Sequence, residues 1–223
     1  MRYRTEAWLL LGLDALLFVA LGIHPKADRF TWFLENAPVV FGVVALAVAW
    51  PRFKFTRLTN RLMALHAVVL MVGGYYTYAE VPAGFWFQHA FDLSRNHYDR
   101  LGHLFQGFVP ALVVREFLLR QSPLKPGKLV FFLSTCVCLA ISAFYELVEW
   151  WTAIAQGASA DAFLGSQGDP WDAQADMLMC LIGAMLAQAT LGWLHDRHLA
   201  RHEQDVKDAH GEGAGSPRAA KAS

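Results

Sequence analysis

The chain is poor in charge. Only 17% of its 223 residues are Asp, Glu, Lys or Arg, against about a quarter in an ordinary soluble domain. The 19 acidic and 19 basic residues cancel, so no nucleic-acid partner is expected. Cysteine is scarce too. Cys136, Cys138 and Cys180 all fall in apolar runs without a CxxC or metal-ligand spacing, which excludes a disulfide scaffold and reads as small buried hydrophobes. No HExxH motif and no internal repeat is visible. The first absence removes the commonest zinc-protease signature. The second weighs against a carrier built from inverted repeats.

What the chain has in abundance is apolar sequence, 55% of the total, with 8 Trp and 16 Phe. Runs of near-spanning length recur and predict an all-α, polytopic transmembrane bundle of about six helices. The predicted helices cover residues 7–23, 35–50, 61–80, about 97–119, 129–154 and 172–194. The first begins after Arg2 and Arg4 but carries Asp14 and lacks a small-residue cleavage site, so it reads as an uncleaved helix. Pro38 falls in the first turn of the second, where proline is tolerated. The aromatic connection VPAGFWFQHAFDLSRN is expected to lie along the interface. Residues 1–198 thus form one transmembrane domain in contact with lipid, and 199–223, without apolar periodicity, form a disordered cytoplasmic tail.

Orientation follows from the basic residues beside the predicted helix ends. Eleven lie on one side: Arg2, Arg4, Arg52, Lys54, Arg57, Arg61, Arg120, Lys125, Lys128, Arg197 and Arg201. Four lie on the other: Lys26, Arg29, Arg95 and Arg100. Both termini are therefore expected in the cytoplasm.

That topology gives depth to the polar residues. Asp99 and His103, four apart, share one side of the fourth predicted helix, and Gln106 extends the stripe. In FYELVEWW, Glu146 lies roughly 26 Å along the fifth helix from Leu129, near the periplasmic edge of a ~30 Å core, and Glu149 follows on nearly the same face. In GSQGDPWDAQADM, Asp172 and Asp176 again share one side, just after Asp169. Charges inside a bilayer are costly and face a bundle interior or cavity. Convergence of so many carboxyls calls for protons, separation or a cation. Carboxylates with imidazole suit Mn, Fe, Zn or Mg. The candidate metal ligands are Asp99, His103, Glu146, Glu149, Asp172 and Asp176. Asp99, Glu149 and Asp169 are candidates for binding a polar headgroup. His103 and Glu146 are the candidate catalytic pair, as base or acid.

Two other readings stand beside this one. The polar residues could serve only to clamp the helices together, making the chain a structural or partner-binding protein, or they could titrate during proton-coupled transport. Asp14 and His66 could pair at similar depth, Arg115 and Glu116 read as an interface anchor, and His97 as a helix cap or a site residue. His89, Asp92 and Arg95 read as solvated, with Arg100 near the headgroups. Trp150, Trp151 and Trp171 read as belt residues. Gly183 would permit close packing of the last helix.

Three separated stretches, NHYDRLGHLFQGFVPALVVRE, FYELVEWW and GSQGDPWDAQADM, together resemble the bacterial inner-membrane proteins of the YjdF type. The resemblance implies a multi-pass inner-membrane location and no particular chemistry, since that family has no assigned biochemical function. More loosely, the layout is similar to VanZ-like membrane proteins. The matching positions are Asp99 and His103, then Glu146 or Glu149, then Asp172 and Asp176 with Gly183 beyond. That analogy hints at cell-envelope or glycolipid biology. Where its pattern tends to carry an amide, this chain has Asp176.

Overall fold

Residues 2–156 and 166–214 are described by a computed structural model. Among them there are seven α-helices and no strand. The helices are α1 (Arg2–Ile23), α2 (Arg29–Ala49), α3 (Arg57–Tyr76), α4 (Pro82–Ala90), α5 (Tyr98–Gln121), α6 (Lys128–Gln156) and α7 (Asp172–Ala214). Four of them are long and apolar enough to cross a membrane: Thr5–Ile23, Arg29–Ala49, Lys128–Ala155 and Asp172–Asp205. Of the remaining long helices, α3 buries Thr59, and α5 buries Asp99, His103, Arg115 and Glu116.

Each departure from the hydropathy reading has a local cause. α2 starts six residues early because Asp28 caps it, accepting from Phe30 N at 2.9 Å and Thr31 N at 3.1 Å. Pro38 is therefore inside the helix and not in its first turn, where it removes the hydrogen bond to the Leu34 carbonyl. α3 stops at Tyr76, since Thr77 takes a left-handed φ of 67°, and a 3-10 turn, Tyr78–Glu80, follows. The aromatic connection contains α4, started by Pro82 and presenting exposed Trp86, Phe87 and Phe91. α7 continues to Ala214, so residues 199–214 are helical. Residues 215–223 of the expected tail lie outside those described.

α5 is the central helix, packed against α7, α6 and α3, while α1 and α2 rest on α3. The α5–α7 seam is made of small residues. Ala111, Cys138, Cys180, Ala184 and Ala187 are fully buried around Leu112. A Cβ at Gly107 would strike the Cys180 carbonyl oxygen, and one at Gly183 the Leu104 carbonyl oxygen. Only glycine lets these two backbones approach so closely. Cys136, expected to be buried, is exposed, because it lies two residues from buried Cys138 and so points to another side of α6. The outward faces are apolar. Leu16, Phe41, Val48, Phe132, Trp193 and the three candidate belt tryptophans are exposed, as lipid-facing side chains are.

Both ends of the bundle carry polar clusters. The basic end holds the 50–56 and 122–127 connections, and the acidic end holds the starts of α5 and α7. At the basic end Glu116 is fully buried, not an interface anchor. Its Oε1 accepts from Thr56 N at 2.7 Å and Arg120 Nη1 at 2.8 Å. Its Oε2 accepts from Thr56 Oγ1 at 3.0 Å and Thr59 Oγ1 at 2.6 Å. His195 Nε2 lies 3.2 Å from the same oxygen. Arg115 Nη1 lies 3.0 Å from His195 Nδ1. Since Arg can only donate, Nδ1 is the acceptor and Nε2 carries the proton that Glu116 receives. This network ties the start of α3 to α5 and α7 with both carboxylate oxygens satisfied.

Candidate functional site

At the acidic end, Asp99 and His103 project from the first turns of α5, Glu146 from the last part of α6, and Asp172 and Asp176 from the first turns of α7. The five meet in two layers. In the first, the loop before α7 folds over the start of α5. Arg95 Nη1 lies 2.6 Å from Asp172 Oδ1 and donates to the Ser166 carbonyl at 2.9 Å. Arg100 Nη2 lies 2.9 Å from Asp169 Oδ2 and 3.0 Å from Asp172 Oδ1. The Gln167 amide closes on the backbone of Asn96, donating to its carbonyl at 2.8 Å and accepting from its N–H at 3.1 Å.

Arg95 is thus buried, not solvated, and Arg100 turns inward, away from the headgroups. Nothing local in the sequence signals this, because the partners lie about 70 residues away. Asp169 and Asp172, expected to bind ligand or metal, are engaged by these two arginines. The Trp171 N–H, then Arg100 and Arg95, hold the Asp169 carboxyl below the usual aspartate range. His97 sits at the N-cap position of α5 without a side-chain capping bond. Partial burial, with Arg95 and Arg100 beside it, keeps its imidazole below the ordinary histidine value.

The second layer is deeper. His103 Nε2 lies 3.4 Å from Glu146 Oε1 and 3.8 Å from Asp99 Oδ1. His103 Nδ1 is 3.4 Å from Ser142 Oγ. One ligand atom each from Asp99, His103 and Asp176 lies within 4.8 Å of the others. Oxygens bound about 2.1 Å from one ion stand about 3.0 to 3.4 Å apart, so modest closure would bring this trio to coordination geometry. Two oxygens here are left over. Glu146 Oε1 and Asp176 Oδ1 are buried and make no hydrogen bond, on side chains only 9% and 2% exposed. Arg100 Nε stands 3.5 Å from Asp176 Oδ1, one cation beside three carboxylates, so the layer holds more carboxylate than cation.

Glu149 is not among that trio. With Asp99, His103 and Tyr145 it lines a cavity of about 740 Å³ that reaches from the acidic end toward Trp8 and Trp50. Glu35 and Tyr78 line the same end. Neither was singled out as a site residue by sequence, although Glu35 is buried, accepts from Thr77 Oγ1 at 2.6 Å and leaves Oε2 without a hydrogen bond. A carboxylate inside the ENAP turn, once α2 is known to start at Arg29, was the available signal. Asp14 and His66 line the cavity too, with His66 Nε2 unpartnered.

Comparison with known sequences now adds the lineage. Residues 6–197 match the family described as predicted membrane protein (DUF2238). The chain belongs to this family. It is also 50% identical over 201 residues to the inner membrane protein YjdF of Escherichia coli (strain K12), a match covering 89% of this chain and 96% of the relative. No solved structure matches the chain. Family membership and the apolar helices together make it a multi-pass inner-membrane protein. The family's name carries no chemistry, so function has to be argued from the polar layer itself.

Proposed function

We propose that this membrane protein binds a divalent cation at the acidic end of its bundle, through Asp99, His103 and Asp176 with Glu146 as a fourth ligand. The observation that carries this reading is the pair of buried, unbonded carboxylate oxygens on Glu146 and Asp176 beside His103. A buried polar atom without a partner costs free energy unless something else satisfies it. The Glu116 network in the same molecule, where every carboxylate oxygen is bonded, supports treating the unsatisfied cluster as a binding site and not as a second clamp. Three carboxylates and one imidazole form a hard to borderline donor set suited to Mn, Fe, Zn or Mg. The basic-residue asymmetry supports a periplasmic location for this end. A step beyond binding would fall to His103 and Glu146, which are close enough to exchange a proton.

The test is metal analysis of the purified full chain after exposure to each of these four metals and removal of excess. One equivalent of one metal is expected, lost by at least tenfold in His103→Ala and Asp176→Asn and kept in Glu116→Gln. No stoichiometric metal under any loading condition would overturn the reading. A clamp role has its own support in the Arg95 and Arg100 pairs with Asp169 and Asp172. It is assigned to those four residues, with Arg100 Nε also standing 3.5 Å from Asp176 Oδ1, and leaves Asp99, His103 and Glu146 outside these pairs.

A further inference from the structure

The long cavity has a shape that the cation site does not explain. From Asp99 to Val113 its α5 wall extends fourteen residues, about 21 Å at 1.5 Å per residue. One leaflet of a ~30 Å hydrocarbon core offers about half that thickness. The volume, about 740 Å³, falls in the range of roughly 300–1,000 Å³ typical of small-molecule sites. The walls are apolar side chains of α1, α2, α3 and α5 over most of the length, with Asp14, His66 and Gln106 midway. Apart from Asp14, the carboxylates and tyrosines of the lining gather at the acidic end: Glu35, Glu149, Tyr78 and Tyr145, beside Asp99.

We propose that this cavity binds a long-chain amphiphile with an ammonium head, the chain lying between α2, α3 and α5 and the head between Glu35, Glu149, Tyr78 and Tyr145. The charge of the lining selects the head. Among the described residues lining the cavity none is Lys or Arg, and Arg95 and Arg100 are engaged with Asp169 and Asp172. An anionic head would find no Lys or Arg in that lining. Glu35 Oε2 is buried without a donor, on a residue 2% exposed, and an ammonium supplies donors. The two phenol rings add faces on which a cation is stabilised. The chain is selected by the rest of the cavity, since an apolar space in a bilayer fills with hydrocarbon at little cost, whereas water there would lack partners. Glu35 and Glu149 are outside the four proposed cation ligands, so this site stands whether or not a metal is found.

Native mass spectrometry of the full chain from maltoside micelles tests the proposal with dodecylamine, dodecanoate and butylamine as probes. Dodecylamine is expected to be retained at concentrations at least tenfold below either of the others. A Cβ at Gly42, in the cavity wall, meets nothing within 4 Å, so Gly42→Phe should fill the cavity without disturbing the fold. It is expected to abolish retention. The double variant Glu35→Gln, Glu149→Gln should keep the chain but lose the amine preference. Parallel incubation with phosphatidylethanolamine and phosphatidylglycerol separates the sources: preferential retention of the first identifies a phospholipid head, and retention of dodecylamine alone identifies a free amine. Equal binding of amine and carboxylate, equal binding of butylamine, or unchanged binding by a folded Gly42→Phe would overturn it. Should Gly42→Phe not fold, the three-probe comparison on the wild-type chain decides alone.

Discussion

At the scale of single residues, the decisive contrast is between carboxylates that have partners and those that do not. Arg100 reaches Asp169 and Asp172, and its side chain is only 11% exposed. Removing one partner of a buried ion pair costs about 3–5 kcal/mol, since the other charge is left uncompensated. Arg100→Ala is therefore expected to lower stability by about 3 kcal/mol, read as a shift in thermal unfolding of the detergent-solubilised chain. Adding Asp172→Asn should recover part of that loss, and failure of any recovery would mean that the pair is not what Arg100 contributes. Asp169 predicts a pH dependence. Its carboxyl is held below the ordinary range in the folded chain, by the Trp171 N–H first and then Arg100 and Arg95. Its stabilisation is complete above the unfolded aspartate value and is lost as pH falls through the lower folded one. Asp169→Asn should lower stability at neutral pH, where this contribution is fully present, and match the wild type at the acid end, so that the profile between the two is flatter. These pairings were illegible in the sequence. Arg95 reads as a loop residue because it is one, and its burial comes from a second loop, 166–171, laid over it.

At the scale of elements, hydropathy and helical spacing made the long helices legible, because a lipid-facing helix must be apolar along its length whatever it packs against. The stripe of Asp99 and His103, with Glu146 and Asp176 facing it, was legible for the same reason: periodicity places residues on a face. What periodicity does not report is which partner a face meets. Hence helical spacing groups Asp172 with Asp176, although one turn of α7 is enough to move it from the buried layer to the arginines. It also misses caps, so the Asp28 cap moved the start of α2, and with it the meaning of Pro38 and Glu35. The α5–α7 seam gives an element-scale prediction. A methyl at Gly183 collides with the Leu104 carbonyl oxygen, and overpacking of this kind typically costs about 1–3 kcal/mol. Gly183→Ala should destabilise the bundle by that amount in thermal unfolding. Gly192, on the same helix, has nothing within 4 Å of its missing Cβ. Gly192→Ala should be neutral or gain up to about 1 kcal/mol from helix propensity. Equal effects at the two glycines would mean that the helices are not in contact at Gly183.

For the whole molecule, the two polar clusters stand at opposite ends of one bundle, the Glu116 network as a tie and the Asp99–His103 layer as the open site, with the cavity running between them. Which compartment each end faces decides what the open site can meet. The surplus of Lys and Arg at the Glu116 end, including Lys54, Arg57, Lys125 and Lys128, predicts that this end is cytoplasmic and that the acidic end faces the periplasm. Single cysteines test it in a Cys136→Ala background, Cys138 and Cys180 being buried. Glu80, beside the acidic end, and Lys125, between α5 and α6, are both exposed. A membrane-impermeant maleimide should label Glu80→Cys in intact cells and Lys125→Cys only after permeabilisation. The reverse pattern would turn the molecule over and give the cation site a cytoplasmic ligand pool. Labelling of both without permeabilisation would break the alternation of crossings that puts α5 and α7 entering from one side, and the depth assigned to the polar layer would go with it.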